Sequence, residues 1–263
     1  MERTASRPSR LTGAAGPARR LDGAGGHLRN RRPLGSRGMT NNASIIRLLV
    51  AKDWQLFQKQ LALYVLAGIV ALCLLALAKP WAFYLGSLML IVVVVAAACF
   101  SISASLMVER KEHTLAFVMS LPVSPWDFTI AKLLGNLVTF GVPFLVLCLG
   151  TLGTVLFTPL PDGLFVYALL IFGYVLFAYS VALSIAMTVE SEGWNTFAMI
   201  GSMVLINPFI MGLAQIDAIS SQIEQDAIVW STPAVAILLT QVILSVAVLG
   251  FTVWHHARKP AFY

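Results

Sequence analysis

Six stretches of this chain are apolar for long enough to cross a bilayer, and that constrains the fold more than any motif does. A helix needs about 20 mostly apolar residues to traverse the hydrocarbon core. Backbone polar groups in lipid must also be satisfied inside the protein, which leaves helices or closed barrels as the spanning elements. The stretches cover residues 61–77, 82–108, 133–157, 164–189, 196–216 and 233–254. Polar or helix-breaking segments separate them: Lys79-Pro80, residues 109–112, 159–162, 190–193 and 217–226. The expected fold class is therefore an all-α membrane protein with six transmembrane helices, and an even number of spans puts both termini on one side.

Basic residues flanking the spans set the orientation, because they stay in the cytoplasm. With the N-terminus inside, Arg47, Lys52, Lys59, Arg110, Lys111, Lys132, Arg258 and Lys259 all fall on the cytoplasmic side, and Lys79 alone falls outside. Trp81, Trp126, Trp194, Trp230 and Trp254 sit near span ends, where an interfacial aromatic belt belongs. The expectation is a multi-pass protein of the cell (inner or plasma) membrane with both termini cytoplasmic. The sequon Asn42-Ala43-Ser44 then lies on the cytoplasmic side and carries no meaning.

Composition supports this reading and removes several function classes. Of 263 residues, 58% are apolar and 11% charged, far from the soluble average of about 25% charged, and the mean hydropathy is +0.82. The formal charge of +6 does not indicate nucleic-acid binding, because nine arginines lie before residue 38. Residues 1–38 are rich in Arg, Gly, Pro, Ser and Ala and hold too little apolar surface to fold. They are expected to form a disordered extension without a transport role, and Met39 would make a natural start. Twin arginines at 19–20 and 31–32 are not closely followed by the apolar core of a signal sequence. The six-span domain is taken as residues 39–263.

Cys73, Cys99 and Cys148 fall singly inside apolar runs, without disulfide or zinc spacing, and read as small buried apolar residues. His255-His256 offers too few ligands for a closed zinc shell. Glu190 and Glu192 lack a matching nucleophile or base, so no catalytic constellation is legible. Ion-coupled carriers usually place an ionisable group within the membrane, and none lies near the middle of a span here. The polar residues Asn136, Thr139, Thr151, Tyr174, Ser180, Ser184, Asn207 and Gln241 are assigned to hydrogen bonding between helices in preference to lining a path. Gly141, Gly150, Gly153 and Pro143 in the third span, and Pro208 in the fifth, are expected to allow close packing and kinks.

Two further segments carry helical patterns. Ile45, Ile46, Leu49, Val50, Trp54 and Phe57 recur at near-helical spacing before the first span. They predict an N-terminal amphipathic helix in the inner interface; the competing reading is a plain extension of the first span. In the outer connection, Ile216, Ile219, Ile223 and Ile228 alternate with polar residues, as in a short segment capping the extracellular end.

The loop after the second span is the most informative segment. Its apolar run from Leu115 to Leu121 is too short to cross a membrane. Leu115, Val118 and Met119 share a helical face, and Pro122 disfavours continuation. Ser124 is placed to cap a new helix, with Pro125 at its first position and Asp127 three residues after the cap. A short helix across the cytoplasmic surface follows, suited to docking on a partner or resting on lipid headgroups.

The stretch ERKEHTLAFVMSLPVSPWDFTIAKLLG, Glu109 to Gly135, resembles the coupling-helix region of type-2 ABC exporter permeases. It has a charged Glu-Arg start, a Thr-Leu pair, a Leu-Pro-Val-Ser turn and a Lys entering the third span. The likeness extends more loosely over about residues 45 to 263 as architecture, and the Arg-rich first 38 residues are outside it. The resemblance implies two six-span halves paired in the membrane, as copies or paralogues, with two separate cytoplasmic ATPase subunits below. Glu109 and Arg110 would begin the transmission element. Thr114, Leu115, Phe117, Val118, Met119 and Leu121 would belong to the docking helix, and Lys132 would lie where the third span emerges. The chain has no G-x-x-x-x-G-K-[ST] phosphate loop, so ATP and Mg are expected on the partner subunit, and no cofactor, catalytic residue or metal in this chain. Partners are then an ABC ATPase, a second permease and membrane lipid, with no nucleic acid. Export is what the family implies, and the cargo is not legible. The rival readings are an ATP-independent carrier or channel, and a membrane scaffold.

Overall fold

A computed structural model describes residues 38–107, 125–189 and 191–257. Among them every regular element is helical, and six helical segments are long and apolar enough to cross a membrane: Trp54–Ala76, Pro80–Ser105, Thr129–Phe157, Leu164–Thr188, Glu192–Ala214 and Thr232–His255. This is the architecture of a multi-pass membrane protein. The elements in chain order are α1 (Gly38–Ala76), α2 (Pro80–Ile102), a π-helical turn (Ser103–Met107), α3 (Pro125–Phe157), α4 (Leu164–Thr188), α5 (Glu192–Val204), α6 (Ile206–Ala214), α7 (Asp217–Ser220) and α8 (Thr232–Ala257).

The segment before the first span is helical, but it is not a separate helix. α1 is continuous over 39 residues, about 58 Å at 1.5 Å per residue, roughly twice the hydrocarbon thickness. No Gly or Pro interrupts residues 45–59, so nothing in the backbone chemistry favours a break. The segment predicted as an amphipathic helix is thus helical and continuous with the first span.

The bundle is built around α4, which packs against α8, α5, α3, α2 and α6, while α1 lies against α3 and α2. The main core joins Val94, Ala98 and Ile102 of α2 to Phe140, Phe144 and Leu147 of α3 and to Val175, Tyr179 and Leu183 of α4. Its aromatic centre is the stack of Phe140 on Tyr179, centroids 4.0 Å apart, with Phe144 edge-on to Phe172 at 5.5 Å. Leu63, Leu66, Leu239, Ile243, Val246, Phe197 and Ile200 face outward on α1, α8 and α5, as helices bathed in lipid do.

Two connections at one end of the bundle are tight. Ala78, between α1 and α2, adopts φ 47°, left-handed backbone that disfavours any residue with a Cβ. Pro80 opens α2, where its missing N–H costs nothing. Gly163, between α3 and α4, donates its N–H to the Gln225 carbonyl at 2.9 Å; a Cβ there would sit 1.8 Å from the Gln222 carbonyl oxygen. The 158–163 link and the 215–231 link are thereby clamped together, and this end is called the capped end below. α7 brings Ile219 into a second core with Val166, Leu170, Leu213 and Ala234. Of the four isoleucines in the connection, Ile219 is the one fully buried, while Ile228 is exposed. Trp81 and Trp230 at the capped end, and Trp194 and Trp254 at the other, are all exposed, consistent with an aromatic belt.

The fifth span is broken at Leu205, between α5 and α6. Pro208 supplies no N–H, so the helical bond it would make to the carbonyl four residues earlier is missing, as its place in the sequence leads one to expect. Tyr174 of α4 donates to the Ser202 carbonyl beside this break at 2.8 Å and stacks on Phe209 at 4.6 Å.

Candidate functional site

Every residue assigned to the coupling segment, Glu109, Arg110, Thr114, Leu115, Phe117, Val118, Met119 and Leu121, lies outside the described residues, as do residues 1–37 and Ser124. What is described is how the two ends of that loop are anchored. α2 leads through the π-helical turn to Met107, and α3 restarts at Pro125, the position at which the sequence puts a first helical residue. π turns insert one extra residue per turn and widen the helix, so backbone and side chains there are re-aimed toward a neighbour.

That neighbour is Asn136, fully buried on α3. Its Nδ2 donates to Ser105 Oγ in the π turn at 3.0 Å and to the Lys132 carbonyl one turn back at 3.0 Å. Its backbone carbonyl accepts from Tyr179 Oη of α4 at 2.9 Å and from Ser101 Oγ of α2 at 3.5 Å. One residue thus ties α2, α3 and α4 together at the root of the 108–124 loop. Burial makes this polar node strict: a side chain left there without its partners loses solvation and gains nothing in exchange. The Asn136 Oδ1 atom itself has no hydrogen-bond partner among the described atoms. Lys132, one turn before Asn136 on α3, is buried as well.

The remaining polar residues divide by role. Thr139, Thr151 and Ser180 donate to carbonyls of their own helices, at 2.7, 2.7 and 2.8 Å, so those protons bridge no helices. Ser184 and Thr252 hydrogen-bond between α4 and α8, and Gln241 Nε2 of α8 donates to the Leu170 carbonyl of α4 at 3.3 Å. Asn207 is exposed, which removes it from the interhelical set. Glycines behave differently from expectation too. Gly150 is pressed by Leu72 of α1, whereas Gly141 and Gly153 have open space where a side chain would go. The close approaches fall instead at Gly68 on Leu147, Gly86 on the α1 backbone at Ala71, and Gly173 on Gln241. Sequence spacing gives no sign of these, because each is set by a residue on another helix.

Cys148 is buried and Cys99 partly so, but Cys73 is exposed on the outer face of α1, correcting its reading as a core residue. Among the described residues no cluster of three His, Cys, Asp or Glu side chains could hold a metal. Glu192 is exposed at the start of α5. No family model matches the chain, and no curated protein or solved structure does.

Proposed function

We propose that this chain is the transmembrane permease subunit of an ATP-binding cassette transporter, forming an export path with a second permease and driven by a separate ATPase subunit. The observation that carries the reading is the loop sequence from Glu109 to Gly135, set between the second and third of six membrane-spanning helices. The Asn136 node adds support of a physical kind. A push on the 108–124 segment reaches α2 through the π turn and α3 through Pro125, and the π turn and α4 are each hydrogen-bonded to Asn136 of α3 at the root of that segment. Force on the loop therefore moves three helices as a unit, a two-state rigid-body shift being the usual way such signals travel. In this reading both termini and the 108–124 loop are cytoplasmic, in a cell membrane, and ATP and Mg are held by the partner.

The test is purification of the tagged full chain from its native membranes in mild detergent, with identification of co-eluting proteins and an ATP hydrolysis assay. A stoichiometric ATPase subunit is expected, with its stimulated hydrolysis lowered by Glu109→Lys and by Phe117→Ser while membrane insertion is retained. Both variants behaving as wild type, or no ATPase under conditions that preserve a known transporter complex, would overturn the proposal in favour of a carrier or scaffold.

A further inference from the structure

A cavity of about 300 Å³ opens inside the bundle on the capped side, walled by α2, α3, α4, α6, Leu75 of α1 and the two clamped connections. On α2 its walls run from Phe83 to Val94 and on α4 from Leu164 to Val175. Each is twelve residues of helix, a rise of about 16 Å between its ends. Half of a hydrocarbon core of about 30 Å is about 15 Å, so the cavity extends from the capped membrane surface to the bilayer midplane: the depth of one leaflet.

Its chemistry is that of an alkyl chain. No Asp, Glu, Lys, Arg or His lines it. Thr151 and Thr154 direct their protons to the Leu147 and Gly150 carbonyls at 2.7 and 2.8 Å, and Ser87 does the same to Tyr84 at 3.1 Å. The fourth hydroxyl on the wall, Tyr167 Oη, donates to the Ile210 carbonyl at 3.5 Å. Water would need two to four polar partners to stay, and these protons are already directed to carbonyls. An apolar pocket of this size falls within the range of small-ligand sites, and filling it restores dispersion contacts that an empty one forfeits.

We infer that this cavity holds one acyl chain of a membrane lipid from the capped-side leaflet, inserted between α2 and α4 with its terminal carbons against Val94 and Val175. The inference needs only the six-span membrane architecture and stands whether or not the chain is an ABC permease.

The full chain would be reconstituted with a phosphatidylcholine carrying a diazirine at the end of one acyl chain, irradiated, and mapped by peptide mass spectrometry. Adducts on Ile91, Val94 and Val175 should exceed those on the lipid-facing Val92 and Val246 by at least about fivefold, corresponding to about 1 kcal/mol of preference. Ala168→Phe, which fills the cavity from α4, should remove that excess and leave Val92 and Val246 unchanged. Ile171→Phe, on the same wall, gives the same readout if the first variant does not insert. Cavity adducts that are absent, no stronger than at Val92 and Val246, or unaltered in the inserted filling variant would overturn the inference and leave bulk lipid contact only.

Discussion

The two ends of the α2–α3–α4 core are built on opposite principles. At the loop end, Asn136 is surrounded by hydrogen-bond partners from three helices; at the capped end, the same helices separate around an apolar cavity. Directional bonds fix distance and angle, whereas alkyl walls tolerate sliding and refilling. The end where the chain enters and leaves the 108–124 loop is accordingly the stiff one inside the bundle, and the capped end is held mainly by its clamped connections.

Substitutions can break or sharpen this contrast. The largest effect is expected for Gly163→Val, since a Cβ there collides with backbone at Gln222 and forces the clamp apart. A loss of about 3 kcal/mol is expected, read from unfolding of the full chain in mixed micelles. Asn136→Leu deletes the two side-chain bonds of the node and should cost about 1–2 kcal/mol in the same measurement. In the reading proposed above it should also lower ATPase stimulation, while Thr139→Val, whose hydroxyl serves only its own helix, should not. Ala78→Gly relieves the left-handed backbone between α1 and α2 and should stabilise by about 1 kcal/mol. Smallest of all, Ala168→Phe projects into free volume and should change stability by less than about 1 kcal/mol. A large penalty there would mean that the two ends are equally close-packed, and the contrast would fail.

Much of the fold is legible in the sequence because membrane physics makes it so. The span boundaries expected from composition fall within a few residues of the helices at most ends, and Pro80, Pro125 and Pro208 mark two helix starts and a break for a reason local to proline. What is not legible is everything that depends on rotation about a helix axis. In a helix apolar all round, such as α2 or α4, no periodicity separates the face packed on Tyr179 or Phe140 from the face in lipid. The node at Asn136 was nameable as a polar residue in a span, but its partners lie 31 and 43 residues away. The π turn at Ser103–Met107 has no sequence mark at all. The amphipathic spacing before the first span left a separate helix and an extension of the span both open, and α1 runs through it without a break.

The Gly163 clamp also determines the leverage available to α4. Fastened at the capped end, this helix of 25 residues is a lever about 37 Å long. A swing of about 5° there carries its far end, together with the α3 and α8 groups bonded to it through Tyr179 and Ser184, through about 3 Å, more than half a helical turn of rise. A bundle pinned in this way amplifies: small angular changes near the pin become sizeable strokes at the far end, and a stroke applied at the far end returns to the pin as a modest rotation.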